Sequence, residues 1–382
     1  MKLAFCLFNY FPFGGLEQNF LKISTECLGR GHNIDIYTMK WEGACPAGAK
    51  LINVSFRGKS NHDKIASFAG NLATILEQKQ YNLIIGFNKI PGLDIYYAAD
   101  VCYKARIKKQ RLFLSRFTPR YRLFSAFEKA VFGKNLKTEI IIISEKEKIN
   151  YQSEYDTEEK RLHIVPPGVD KDYIRSSLSL INRNNIRDKL GLGKNDIFLL
   201  MIGSHFHTKG VDRSINALAC LPLAMQKSTY LFIIGKGKQK PYAGLAKKLG
   251  LQNNVRFLGS RSDIPLFLAG ADFVLQPSRV ENTGNVIVEA LTAGVPVMAT
   301  ETCGYAVHIE RAKAGMILPS SKFSQKTMNI MLKEMLLSEE KDNWKKNALS
   351  YSDSTDLYNR VMVVADLIEE IGAKKKTTAI NT

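Results

Sequence analysis

Apolar residues in this chain come in short, nearly unbroken runs, and between them lie longer stretches whose apolar positions recur at three and four. Runs of four to seven residues such as Lys2–Phe8 match central strands buried on both faces, and the intervening spacing matches helices. Strands are expected at Lys2–Phe8, Ile34–Tyr37, Leu51–Val54, Leu83–Phe87, Glu139–Ile143 and Leu162–Val165. The pattern restarts with Phe198–Ile202, Tyr230–Ile234, Val255–Leu258, Phe273–Gln276, Val297–Thr300 and Met316–Leu318. Helices fall between, for example to about Arg30, over Asp212–Leu221 and over Asp263–Ala269. Strand–helix alternation predicts parallel sheets flanked by helices, an α/β chain of doubly wound Rossmann-like halves. Pro166, Pro167 and Gly168 end regular structure, which places one domain over residues 1–168 and the next over 169–354. Residues 355–382 follow, with an apolar helical face over Asp356–Ile371 and a tail, AKKKTTAINT, polar enough to fray.

The stretch QPSRVENTGNVIVEALTAGVPVMAT, Gln276–Thr300, concentrates the candidate chemistry. It reads as a strand end, a polar turn and a helix from about Thr283 to Ala293. A helix start offers unpaired N–H groups and partial positive charge, which suit a phosphate. Gly284 lets an anion come close to the backbone. Glu281 lies in the turn and Glu289 a turn and a half into the helix. The string resembles the donor-site signature of retaining family 4 glycosyltransferases, E-x-x-G-x-x-x-x-E followed by A-x-x-x-G-x-P-V. The segments FCLFNYFPFGGLEQNF, GFNKIPGLDIYYAADVCY and GSHFHTKGVDRSI narrow the resemblance to lipopolysaccharide core glucosyltransferases.

That resemblance implies a GT-B fold, two doubly wound Rossmann-like domains facing across a cleft, with the last helix returning to the first domain. It implies transfer of glucose from UDP-glucose to a heptose of the lipopolysaccharide inner core with retention, UDP-glucose serving as donor substrate and no cofactor or metal being needed. Glu281 then faces the donor sugar, Thr283, Gly284 and Asn285 offer amides to sugar and diphosphate, and Glu289 binds the ribose. Gly14 and Gly15 line the diphosphate, and Lys209 places a cation on it. Thr208 stands where relatives often carry a second cation. Arg261 matches a position near the nucleobase, and Asp100 lies on the acceptor side. Each also has a plainer reading: a tight turn for Gly14–Gly15, a surface side chain for Arg261, a helix or turn cap for Asp100. Asp212 reads as an N-cap, and His205 and His207 as loop residues.

Composition adds one fact. The 382 residues are 45% hydrophobic and 24% charged, ordinary for a globular protein, but the net charge is +18. Such a balance calls for an anionic partner. From Lys104 to Lys137 stand eleven Lys or Arg against a single acid, Glu128, with Phe113, Phe117, Tyr121, Phe124 and Phe127 interleaved. Thr118-Pro119 reads as an N-cap and first helical residue, dividing the segment into two helices. Basic and aromatic residues on one face predict an interfacial surface on anionic lipid, formed by Lys104, Arg106, Lys108, Lys109, Arg111, Arg116, Arg120 and Arg122. The alternative is a solvated face with its aromatics turned inward.

No nucleic-acid motif accompanies the charge. No apolar run is long enough to span a membrane. MKLAFCLF reads as a first strand rather than a signal peptide, and the six cysteines show no framework spacing. The expected location is therefore cytoplasmic, peripheral on the inner membrane's cytoplasmic face. A nicotinamide oxidoreductase would want a G-x-G-x-x-G, which is missing. Transfer of another UDP-hexose or UDP-N-acetylhexosamine to a lipid-linked glycan, and epimerisation of a sugar nucleotide, stay open.

Overall fold

Every apolar run named above becomes a strand, the central ones buried, and the alternation of side chains along each strand decides which helices cover it. The computed structural model describes all residues except 13, 110–112, 320–322 and 381–382, and the backbone alone at 113, 115 and 378–380. Two units result, Met1–Pro166 with Asn359–Thr382, and Pro167–Tyr358.

Among the described residues, the first unit holds a seven-stranded parallel sheet in the order Lys50–Asn53, Asn33–Thr38, Lys2–Cys6, Leu83–Gly86, Ile95–Ala98, Glu139–Ile142, Leu162–Ile164. Leu3 and Phe5 pack on one face with Phe20, Ile23, Val364 and Ile368, while Ala4 and Cys6 pack on the other with Phe68, Leu72 and Val131. This period of two explains why the first run is apolar throughout. Ile95–Ala98, wholly buried, is a strand beyond those expected from the apolar runs. Its four residues, Ile-Tyr-Tyr-Ala, carry the β-branched and aromatic signal of a strand.

The C-terminal helix runs Arg360–Ile380 and packs on the helix Gly15–Gly29. Arg30 Nη1 reaches Asp366 at 2.6 Å and Glu369 at 3.1 Å, and His32 Nε2 lies 2.9 Å from Glu369. The segment expected to fray is helical to Ile380. Its Ala and Lys residues are strong helix formers, and Lys374–Glu370 and Lys375–Asp94 pairs, each at 2.6 Å, tie it down.

In the second unit a six-stranded parallel sheet runs Val255–Gly259, Thr229–Ile234, Ile197–Ile202, Phe273–Gln276, Val297–Thr300, Gly315–Leu318. Phe198 and Leu200 face a cluster with Ile287, Val288 and Leu291, whereas Leu199 and Met201 face Ile215 and Leu218. Strand order reverses between Ile197–Ile202 and Phe273–Gln276. Ligands of such sheets bind beyond the carboxyl ends of the strands at that reversal. The loops leaving these two strands are therefore where chemistry is sought.

Candidate active site

Those two loops bring together side chains 72 residues apart. Lys209, last residue of the short helix Phe206–Lys209, forms an ion pair with Glu281 through Nζ and Oε2. Both side chains are largely withdrawn from water, at 20% and 16% exposure. Gly203 makes the approach possible: a Cβ there would sit 2.7 Å from Lys209 Cε, and its φ of +147° disfavours any other residue. Glu281 also lies 3.4 Å from Gln276 Nε2.

Behind the pair, Arg213 donates to the Pro277 carbonyl at 3.0 Å and stacks 3.6 Å over the Phe323 ring, and burial lowers its guanidinium to about 10. Arg279 grips Asp212 through two bonds of 2.8 and 2.6 Å and donates to the His207 carbonyl at 2.8 Å. Burial alone would raise the Asp212 carboxyl, but Arg279 holds it below the usual range. Asp212 is not the N-cap of the helix Val211–Ala219. Gly210, at φ +75°, occupies that position, and Asp212 sits in the first turn, where its carboxylate is turned to Arg279. His205 is the left-handed residue preceding the helix Phe206–Lys209.

The helix Asn285–Thr292 begins two residues later than expected, with Gly284 as its N-cap at φ +88° and no side chain capping it. Thr283 spends its carbonyl on Tyr305 N at 2.8 Å. Asn285 Oδ1 is buried without a hydrogen-bond partner, the kind of atom that a polar ligand satisfies. The start of this helix thus keeps its amide end uncapped beside the Lys209–Glu281 pair.

Further along, Glu289 shares its surroundings with Tyr173 and Asp263. The Tyr173 hydroxyl donates to the Ser262 carbonyl, and burial, then the negative charges of Asp263 and Glu289, push its ionisation up. Arg261 is held by Asp263 at 2.7 and 2.5 Å and lies 5.1 Å over Phe267. It is more than a loose surface charge, although its guanidinium remains exposed. Tyr173 was missed from sequence because nothing near it carries a motif.

In the first unit, Gly14 caps the helix Gly15–Gly29 with no side-chain bond. A Cβ at Gly14 would strike the Glu17 carboxylate, which folds back beneath it at 8% exposure. Burial raises Glu17, its own backbone N–H partly offsets that, and Asp100 raises it again. Gly15 has open space where a side chain would go. Asp100 is exposed, just beyond the strand Ile95–Ala98, and its carbonyl accepts from the Tyr151 hydroxyl at 2.8 Å.

Asp100 does not cap the next helix, Tyr103–Lys109. Buried Glu128 and Glu147 do so, accepting from Tyr103 N at 2.7 Å, Lys104 N at 3.1 Å and Cys102 N at 2.7 Å. Glu128, fully buried, also pairs with Lys89 and accepts from the Tyr155 hydroxyl at 2.6 Å. The lone acid of the basic segment is thus its anchor, not a solvated residue.

The basic segment forms the helix Tyr103–Lys109, a 3₁₀ turn at Phe113–Phe117 and the helix Pro119–Phe132, capped by Thr118 Oγ1 accepting from Tyr121 N at 3.2 Å. Its cations divide. Lys108 binds both oxygens of Glu154 at 2.6 Å, and Lys104 joins the same carboxylate at 3.3 Å. Burial would raise Glu154, but the two ammonium groups hold it below the usual range. Arg106 lies 5.2 Å over the Tyr103 ring and Arg120 5.8 Å over Phe124, and Arg116 is half-buried. Lys109, Arg120 and Arg122 are exposed, as are Leu114 at 81% and Phe117 at 63%. Phe127 turns inward. Arg111 lies outside the described residues.

Comparison with known proteins gives consistent results. The family described as Glycosyl transferases group 1 matches residues 182–350. The lipopolysaccharide glucosyltransferase WaaG of Escherichia coli K12 is 40% identical over 369 residues, 96% of this chain and 98% of that protein. A crystal structure of WaaG, a glycosyltransferase involved in lipopolysaccharide biosynthesis, superposes with a TM-score of 0.89 over 96% of this chain and 99% of that one. The fold is shared more distantly by Anabaena Alr3699/HepE, solved with UDP, at 19% identity and a TM-score of 0.70 over 98% of this chain and all of that one.

Proposed function

The chain belongs to the group 1 glycosyltransferase family, and from that premise we propose that it transfers glucose from UDP-glucose to a heptose of the lipopolysaccharide inner core, retaining the anomeric configuration. The observation that carries this reading is 40% identity to the E. coli lipopolysaccharide glucosyltransferase along 96% of the chain, with Lys209, Glu281 and the uncapped helix start together at the reversal of the second sheet.

The donor diphosphate suits the amide end of Asn285–Thr292 and the Lys209 ammonium. These place fixed positive charge where the departing UDP accumulates negative charge. Gly15, with open space where a side chain would go, offers backbone that an anion can approach, while Gly14 is backed by the Glu17 carboxylate. Glu289 accepts ribose hydroxyls, and Arg261 presents its face to the base. The bond from the sugar's anomeric carbon to the diphosphate oxygen breaks, its electron pair leaving with UDP. The acceptor oxygen bonds from the same face, and its proton passes to the departing phosphate oxygen. In this reading Glu281 forms no covalent bond to the sugar. It holds donor hydroxyls and stabilises positive charge on the sugar ring. Asp100 orients the acceptor hydroxyl.

Glu289→Ala should weaken UDP binding by about 1.5–3 kcal/mol, the loss of charge-assisted hydrogen bonds, as read by titration calorimetry. UDP binding as tight as in the unaltered protein would remove Glu289 from the nucleotide site. The reaction itself is tested by UDP release from UDP-glucose with and without a heptose-terminated core lipid. Release that needs the lipid supports transfer, while conversion of UDP-glucose to an isomer without acceptor would mark an epimerase.

The proposed acceptor is anionic and lipid-anchored, and no helix among the described residues is long and apolar enough to cross a membrane. Docking at the cytoplasmic face of the inner membrane falls to the exposed basic surface. With Lys104 and Lys108 engaged by Glu154, the cations that meet lipid are Lys109, Arg120 and Arg122, flanked by Leu114 and Phe117. At about 1 kcal/mol for each cation, replacing these three with Gln should lower partitioning onto anionic vesicles about 100-fold. Lys104→Gln with Lys108→Gln should change it far less. Co-sedimentation that depends equally on both sets would contradict this division.

A further inference from the structure

Gln276 closes a strand whose other members, Phe273, Val274 and Leu275, are apolar core residues. Gln276 is itself 0% exposed. Its carbonyl accepts from Ser278 N at 2.8 Å and from the Cys303 thiol at 3.6 Å, turning the chain sharply towards Glu281. Its side-chain Nε2 lies 3.4 Å from Glu281 Oε2, the oxygen that also meets Lys209. The amide's other atom, Oε1, is buried with no hydrogen-bond partner. A buried amide left half-satisfied is destabilising, whereas an apolar residue of similar size would be nearly neutral at the strand end. Stability therefore does not account for a glutamine here.

We infer that Gln276 is a positioning residue for the transfer step, fixing the Glu281 carboxylate through its side-chain amide. The inference rests on the role proposed above for Glu281. Two donors converge on one Glu281 oxygen, one charged and one neutral. When a diphosphate arrives, it competes for the Lys209 ammonium, because both are drawn by charge. The neutral amide of Gln276 offers little to a diphosphate and stays with Glu281. Glu281 is thereby held in place during the step in which Lys209 is shared. The nearby Cys303 thiol, which burial pushes up to about 11, stays neutral.

Gln276→Met tests this, because it keeps length and removes the donor. The expected result is a 10- to 100-fold fall in kcat, with KM for UDP-glucose and the dissociation constant of UDP within twofold, and no loss of thermal stability. In a Glu281→Gln background the same change should have less than a twofold further effect, since the group it positions is gone. Unchanged kcat in Gln276→Met, or an equal loss in both backgrounds, overturns the inference while leaving the role of Glu281 intact. Wild-type kcat in Glu281→Gln alone overturns the role of Glu281 and the inference with it.

Discussion

Lys209→Ala is expected to lower kcat about 1000-fold, the scale seen when a preorganised charge or donor is removed from a developing anion. Two losses combine. The departing diphosphate would lose the cation proposed for it, and Glu281 loses its ion-pair partner. A carboxylate left in a largely desolvated position without its counter-charge is strained, so the melting temperature is measured alongside. Gly203 gives an independent route to the same side chain. Gly203→Ala sets a methyl against the lysine stem and should impair turnover while the ammonium itself is retained. If Lys209 and the helix start supply the positive potential, turnover also survives excess EDTA. Abolition by chelation with recovery on Mg²⁺ would assign that charge to a metal instead.

Glu281→Gln should lower kcat by about 100- to 1000-fold with UDP affinity unchanged or tighter. The ion pair explains the second half of that statement. In the free protein Glu281 occupies the ammonium that the diphosphate needs, so neutralising Glu281 releases Lys209 for UDP. Glu289→Ala has the opposite signature, with weaker UDP and a smaller effect on the chemical step. Titration of UDP into both variants separates them, and an equal affinity loss in each would contradict the division of roles.

The sheets were legible because a strand buried on both faces announces itself as a continuous apolar run. Lys2–Cys6 and Ile197–Ile202 needed no other signal. Ile95–Ala98 is a strand that the run pattern did not mark. The motif over Glu281–Glu289 was equally visible, since its residues are neighbours in sequence. The pairing of Lys209 with Glu281 was not, because only the strand order brings the two loops together. Capping was ambiguous for a different reason. Gly210 and Asp212 can each start a helix, and the backbone decides between them through a left-handed residue that no side-chain rule reveals. Glu128 shows the limit of reading charge from sequence: one acid among eleven cations looks incidental, yet it anchors the first basic helix from a fully buried position. Lys104 and Lys108 likewise count as free charge until Glu154 is found beside them.

The most direct test follows the sugar. Purified protein is incubated with UDP-glucose labelled with ¹³C at the anomeric carbon and a heptose-terminated core lipid, and the product is examined by mass spectrometry and NMR. The account predicts a gain of one hexose on the lipid, one UDP released for each, and an α-configured anomeric carbon attached to heptose. A β-configured product, a label left on free sugar, or UDP release indifferent to the lipid would contradict it.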